Sequence, residues 1–337
     1  MYHFLNNSTQ QLVTDFFLIF VIILIISISL GLYLLSKGGD LLSDNCGNLA
    51  KSFGVPSIVV GLTIVSIATS APELFTSISA INSGATGLVL GNIIGSNIAN
   101  IGLILGISLI ICPIRSENAI SSNQRLIILI LTFIFSGYLF FHPSHSLNIF
   151  AGSLLLSFIF IYLSFLTYNA LRKKKVITET HSEYDILPPI YRSLLMVIIA
   201  TLILWIGSDT LVFGAKNLAS IAGIPDELIG FTLLAIGTSL PELAASVSLV
   251  KKNEFEMLLG NIVGSNLFNI GLVGGIAGIM GPITNSTRNP WIDYISLIIM
   301  TSVFVLLASQ RKMTKFHGTI LLFLYLSATL LTWNFNS

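Results

Sequence analysis

Charge is what this sequence has least of. Only 9% of its 337 residues are Asp, Glu, Lys or Arg, while 54% are hydrophobic. Ordinary soluble domains carry about 25% charged residues, so a chain this poor in charge cannot clothe a water-facing surface. The net charge of +1, with no basic stripe, excludes a nucleic-acid partner. Two cysteines, Cys46 and Cys112, stand at no metal-ligand spacing and build no disulfide framework. No G-x-x-x-x-G-K-[ST] segment is present to cradle a nucleotide phosphate. The five histidines, at 3, 142, 145, 181 and 317, fall at ends or in loops, which weakens a histidine-based proton relay.

What the chain has instead is a succession of long apolar runs. They predict ten membrane spans, at about 16–36, 57–81, 88–111, 126–141, 148–171, 193–214, 227–250, 256–280, 291–309 and 316–333. The opening stretch MYHFLNNSTQQLVTDF lacks a basic n-region, so the first run reads as a retained span rather than a cleaved signal peptide. Lysines and arginines alternate in step with this count. Fourteen of the sixteen fall in or beside the loops after spans 1, 3, 5, 7 and 9, leaving Lys216 and Arg288 on the other side. The positive-inside rule then places both termini outside and the charged linker 172–192 in the cytoplasm.

The two halves repeat. Residues 54–106 align with 223–275 at a constant offset of 169, without a gap and with 24 identities in 53 positions. The matches include Thr69, Ser70, Pro72 and Glu73 with Thr238, Ser239, Pro241 and Glu242. Further on, Asn92, Ser96, Asn97 and Asn100 match Asn261, Ser265, Asn266 and Asn269. Each half holds five spans, and an odd number inverts the second half relative to the first. The predicted organisation is 1–171, a linker at 172–192, and 193–337. Inverted repeats with interrupted helices are a pattern of secondary transporters.

Within IATSAPEL, Thr69 and Ser70 lie four and three residues before Glu73 and share its helix face. Pro72 withholds an amide hydrogen and loosens the carbonyls at 66–69, with the same expected at 235–238. Hydroxyls, freed carbonyls and a carboxylate are oxygen donors, which suit hard cations such as Ca²⁺ or Na⁺. Asn92, Ser96 and Asn100 form a polar stripe at four-residue spacing, and Asn261, Ser265 and Asn269 repeat it. Of the fifteen acidic residues, only Glu73 and Glu242 fall near mid-span. Brought together they supply about two negative charges, the match for one Ca²⁺. Ser77, Ser79, Ser246 and Ser248 read as packing residues, and Asp40 and Asp209 as capping or solvated groups near helix ends. A serine hydrolase is disfavoured because Ser70 and Ser239 have no mid-span His or Lys as a base.

The segments GLTIVSIATSAPELFTSISA and GFTLLAIGTSLPELAASVSL, with the two GN-x-x-GSN stretches, resemble the paired α-repeats of the sodium/calcium exchangers in the cation/calcium exchanger superfamily. The resemblance covers the whole ten-span layout and is closest to prokaryotic-type members without a large regulatory loop. It implies an all-α membrane protein of ten transmembrane helices in two inverted five-helix repeats, with helices 2 and 7 interrupted. It also implies an antiporter, not an enzyme, that exchanges Na⁺ for Ca²⁺ by alternating access and extrudes Ca²⁺ on the sodium gradient. Spans 1 and 6 would slide across the other eight.

Carried over by position, the resemblance gives a central Ca²⁺ site of Glu73 and Glu242 with backbone oxygens of Thr69 and Thr238. Flanking sodium sites would use the hydroxyls of Ser70, Ser96, Ser239 and Ser265 and the carbonyls of Ser66 and Ala235. Asn100 and Asn269 fill the remaining central positions. No cofactor and no obligatory protein partner is implied: the partners are the transported ions and the lipid bilayer of the plasma (inner) membrane. Three departures stand out: Ala68 stands where the second repeat has the more usual Gly237, Ser66 stands where Ala is common, and Asn269 stands where some relatives, potassium-dependent ones included, carry Asp. The last argues against potassium co-transport. The alternative on the same scaffold is a proton-coupled Ca²⁺ antiporter.

Overall fold

The computed structural model describes residues 2–82, 84, 86–115, 120–142, 145–177, 188–222, 237–284 and 289–336. Ten helices carry most of them. They are α1 (Tyr2–Phe53), α2 (Ser57–Asn82), α3 (Gly87–Ile111), α4 (Ser122–Phe141), α5 (Ile149–Ile177) and α6 (Ile190–Ile221). They continue as α7 (Leu240–Lys251), α8 (Phe255–Met280), α9 (Pro290–Ala308) and α10 (Lys315–Asn336). Among the described residues nine of these, all but α7, are long and apolar enough to cross a membrane. The front of the expected seventh span and residues 178–187 of the linker lie outside the described residues. The chain is an all-α, multi-span integral membrane protein.

Helix limits differ from expectation at α1 and α6. The first was expected to end near residue 36 and the sixth near 214, but they run on to Phe53 and Ile221. The apolar run stops while the helix does not, because one helix holds the other. A Cβ on Gly31 would stand 2.6 Å from the Leu211 Cβ, and one on Gly214 would stand 2.7 Å from the Leu24 carbonyl oxygen. Glycines here let the two backbones nearly touch. Asp40 is therefore in the interior of α1, not at its end. Its carboxylate accepts a 2.7 Å bond from the Ser248 hydroxyl, so Ser248 is not a packing residue only. Lys252 donates to the Asp40 carbonyl at 2.8 Å and pairs with Asp44 at 2.7 Å, tying α1 to the end of α7.

Local chemistry sets the breaks. Gly54, at φ 62, ends α1 in the left-handed conformation, and the Val55 amide reaches back to the Ala50 carbonyl at 3.1 Å. Pro56 then opens α2. Helices α3 and α8 are deeply buried at the centre, and the first half of α2 lies against α8 across Gly61, Gly260 and Gly264. Phe75 of α2 stacks on Trp205 of α6, with centroids 5.5 Å apart and planes 2° from parallel.

Two short antiparallel ribbons bind the halves together. Strand β1 (Ile114–Arg115) pairs with β4 (Lys312–Met313), and β2 (Ser146–Leu147) pairs with β3 (Ile283–Thr284). Helix α4 crosses the bundle between β1 and β2, so the ribbons stand at opposite ends of it.

Between α9 and α10, buried Asp293 accepts a 2.8 Å bond from the Thr332 hydroxyl. Thr332→Val removes that donor from a carboxyl that has left water. The expected cost is about 1–3 kcal/mol of stability, read as a lower melting temperature in detergent, with Thr332→Ser close to wild type.

Candidate ion-binding site

The α2 helix is built in pieces: Ser57–Val60, a π-helical stretch Gly61–Val65, Ser66–Thr69, and Ala71–Asn82. It breaks at Ser70, with φ −86 and ψ 3. The second half breaks at Ser239, with φ −90 and ψ 3. Two breaks 169 residues apart thus share one backbone geometry. Each is followed by a half-helix with proline at its second position, Pro72 or Pro241, and with Glu73 or Glu242 in its first turn. Pro72 has no amide hydrogen to give the carbonyl four residues back, that of Ala68, but the Ser66 carbonyl, expected to be loosened as well, stays in the ladder and accepts from the Ser70 amide at 2.9 Å. The carboxylate meets the positive end of the half-helix dipole, which eases its burial.

The two glutamates are both about 1% exposed, and the halves interlock around them. The Ser70 hydroxyl donates to Glu242 Oε1 at 3.0 Å. Thr69 donates to Asn261 Oδ1 at 3.4 Å, and Thr238 donates to Asn92 Oδ1 at 3.3 Å, a reciprocal pair across the repeat. Asn92 Nδ2 in turn donates to the Glu73 carbonyl at 3.3 Å and to Ser77 Oγ at 3.0 Å, so Ser77 does more than pack. Asn100 donates to Asn266 Oδ1 at 3.0 Å.

Many buried oxygens are left over. Both Glu73 carboxylate oxygens, Glu242 Oε2, Ser96 Oγ, Ser239 Oγ, Asn97 Oδ1, Asn100 Oδ1 and Asn269 Oδ1 have no hydrogen-bond partner among the described residues. Buried polar groups without partners are costly and call for an explanation. These eight oxygens, three of them from the two carboxylates, are the donor set of a hard cation, while three amide nitrogens, Asn261, Asn266 and Asn269 Nδ2, also lack partners among the described residues. No group of three or more His, Cys, Asp or Glu forms among the described residues. Softer metals are not what this cluster suits.

Eleven of the twelve residues expected at the site are described, and all eleven are buried: Ser66, Thr69, Ser70, Glu73, Ser96, Asn100, Thr238, Ser239, Glu242, Ser265 and Asn269. Ala235 lies outside the described residues. Asn92, Asn261, Asn97 and Asn266 were not counted among the candidate ligands, yet they bond to residues that were or lie beside them. Their signal was present in the repetition of GN-x-x-GSN. The interruptions are also more extensive than expected. Helices α3 and α8 each contain a π-helical stretch, at Asn100–Leu105 and Asn269–Val273, again repeat-equivalent. Such stretches often mark functional sites.

The fold is one that solved proteins share. The sodium/calcium exchanger protein family matches residues 15–168 and 192–334. The chain belongs to the sodium/calcium exchanger family. Among the family's proteins it is 35% identical over 299 residues to an uncharacterized membrane protein of Methanocaldococcus jannaschii, covering 89% of this chain and 94% of that one. It is 29% identical over 336 residues to the sodium/calcium exchanger MaX1 of Methanosarcina acetivorans, covering 88% and 95%. The structure of the sodium-calcium exchanger NCX_Mj soaked with 100 mM Na⁺ and 10 mM Sr²⁺ superposes with TM-score 0.79 at 32% identity. That match covers 92% of this chain and 98% of the other. Membership makes the protein a cation/calcium exchanger, a membrane transporter in class.

Proposed function

We propose that this exchanger is an antiporter that moves Ca²⁺ against Na⁺ by alternating access and extrudes Ca²⁺ across the plasma (inner) membrane. In this reading the termini lie outside, the 172–192 linker is cytoplasmic, and the halves 1–171 and 193–337 form the site where they meet. The observation that carries it is the pair of buried carboxylates, one from each half, surrounded by oxygens without hydrogen-bond partners. Glu73 and Glu242, with backbone oxygens of Thr69 and Thr238, hold Ca²⁺. The hydroxyls of Ser70, Ser96, Ser239 and Ser265, with carbonyls of Ser66 and Ala235, seat Na⁺, while Asn100 and Asn269 complete the centre. The two ions compete for one oxygen cluster, so occupancy by sodium excludes calcium, and that competition is what couples the flows. The wealth of neutral oxygen ligands supports sodium over protons, because a proton needs none of them. Asn269, neutral where a third carboxylate would add charge, fits a seat with no potassium.

Driving force is sufficient. A tenfold sodium gradient supplies about 1.4 kcal/mol per ion. With three Na⁺ for one Ca²⁺ the net charge adds about 2.3 kcal/mol per 100 mV. The sum, about 6.5 kcal/mol, sustains a calcium ratio of about 10⁴–10⁵.

Radioactive calcium uptake into sodium-loaded proteoliposomes tests the reading. Uptake is expected in sodium-free buffer and not when sodium is equal on both sides. Uptake indifferent to sodium but driven by a pH gradient would replace this reading with proton-coupled antiport.

A further inference from the structure

The two halves are not equal at one position that faces the sodium ligands. Ser66 in the first half corresponds to Ala235 in the second, so the first half carries a hydroxyl that the second lacks. The Ser66 side chain is fully buried. Its amide closes the π-helical stretch on the Gly61 carbonyl, and its hydroxyl reaches the same oxygen at 2.7 Å. Oγ also lies 3.2 Å from the Asn261 carbonyl and 3.3 Å from Asn261 Oδ1. A serine hydroxyl has one proton and two lone pairs. With the proton on the nearest acceptor, Gly61, the lone pairs turn toward Asn261. There Oδ1 is also met by the Thr69 and Ser265 hydroxyls, each at 3.4 Å. Four side-chain oxygens, all uncharged, therefore converge on one spot beside the carboxylates. The hydroxyl fits only because residue 264 is glycine, since a Cβ there would collide with Ser66 Oγ.

We propose that the Ser66 hydroxyl is a selectivity determinant for sodium, adding a hard oxygen to the cluster of Thr69, Asn261 and Ser265 side-chain oxygens, one that Ala235 of the second half cannot supply. This rests on the sodium-coupled reading above. Neutral oxygens favour a monovalent ion over competing divalents less strongly held there, whereas Ca²⁺ is held by the two glutamates. Loss of the hydroxyl accordingly weakens sodium and spares calcium. Ser66 also makes the two sodium seats unequal, so they fill in sequence rather than together.

The test compares wild type, Ser66→Ala and Ser66→Cys in proteoliposomes. One assay reads the sodium concentration giving half-maximal calcium uptake. The other reads the calcium concentration giving half-maximal calcium–calcium exchange without sodium. Cysteine keeps the size of the side chain and replaces a hard oxygen by a soft sulfur. Both variants are expected to raise the sodium value about 3- to 10-fold, the worth of one hydrogen-bonding oxygen, with the calcium value within about twofold of wild type. A cysteine variant indistinguishable from wild type, or calcium and sodium weakened alike, would overturn the proposal by reducing Ser66 to a shape-filling role. A wild type indifferent to sodium would remove the antiport reading and this inference with it. A sodium-driven wild type whose variants keep its half-saturation would remove this inference alone.

Discussion

Glu73→Gln abolishes calcium transport while the protein still inserts and melts as a folded unit. The same result is expected of Glu242→Gln. Each glutamate sits at the start of a half-helix, about 1% exposed, and both Glu73 carboxylate oxygens and Glu242 Oε2 have no hydrogen-bond partner among the described residues. Glutamine keeps the size and one oxygen but removes the charge, and it puts an NH₂ where a cation needs a lone pair. Removing one member of a buried charged set costs about 3–5 kcal/mol, or roughly 10²- to 10⁴-fold in calcium affinity. The folded state does not share that loss, since an uncharged amide is easier to bury than a lone carboxylate. Calcium uptake and calorimetric melting of the same preparations separate the two effects. Calcium flux at more than about a tenth of the wild-type rate in both variants would sink the assignment of the carboxylates as calcium ligands.

The second large effect is expected from one added methyl group. Gly264→Ala places a Cβ against Ser66 Oγ and 2.8 Å from the Leu62 carbonyl oxygen. A side chain can turn aside, but the Leu62 backbone cannot without moving the first half of α2. Overpacking of this kind costs about 1–3 kcal/mol, which a bundle of this size survives. The site is less forgiving, because α2 carries Ser66, Thr69, Ser70 and Glu73 with it. A shift of about 1 Å in a bound-ion geometry is enough to lower turnover about 10²-fold. Transport is therefore expected to fall far more than the melting temperature. Gly274→Ala is the comparison. A Cβ there meets nothing nearer than 3.6 Å, and near-normal exchange is expected.

Much of this was legible in the sequence because the repeat made it so. A single Glu73 in an apolar run is ambiguous, whereas a second at offset 169 with the same Thr, Ser and Pro is not. The backbone breaks at Ser70 and Ser239 followed from the prolines two residues later. The π-helical stretches at Gly61, Asn100 and Asn269 did not follow from anything, because an extra residue in a helical turn requires no particular side chain. The length of α1 was hidden for a different reason. Past residue 36 it carries Lys37, Asp40 and Asp44, the two aspartates held by Ser248 and Lys252 at the end of α7, so apolarity ends while glycine-mediated packing on α6 continues at Gly38. Asn97 and Asn266 were overlooked because they adjoin Ser96 and Ser265 in sequence and so fall off the four-residue stripe. Only the packing of α3 on α8 shows Asn266 accepting from Asn100.

The two ribbons carry a consequence for how the protein is made. Ile114 pairs with Met313, nearly two hundred residues further along the chain, and Leu147 pairs with Ile283. When the first five helices have entered the bilayer, β1 and β2 have no partners, and Thr69 and Ser70 have neither Asn261 nor Glu242. Pairings so distant in sequence close late, after the entropy of a long loop has been overcome. Synthesis therefore delivers a first half that is lodged in the membrane but unfinished, with strand edges and a buried carboxylate waiting. The final turn of the ribosome on α9 and α10 closes β4 onto β1 and completes both ends of the bundle.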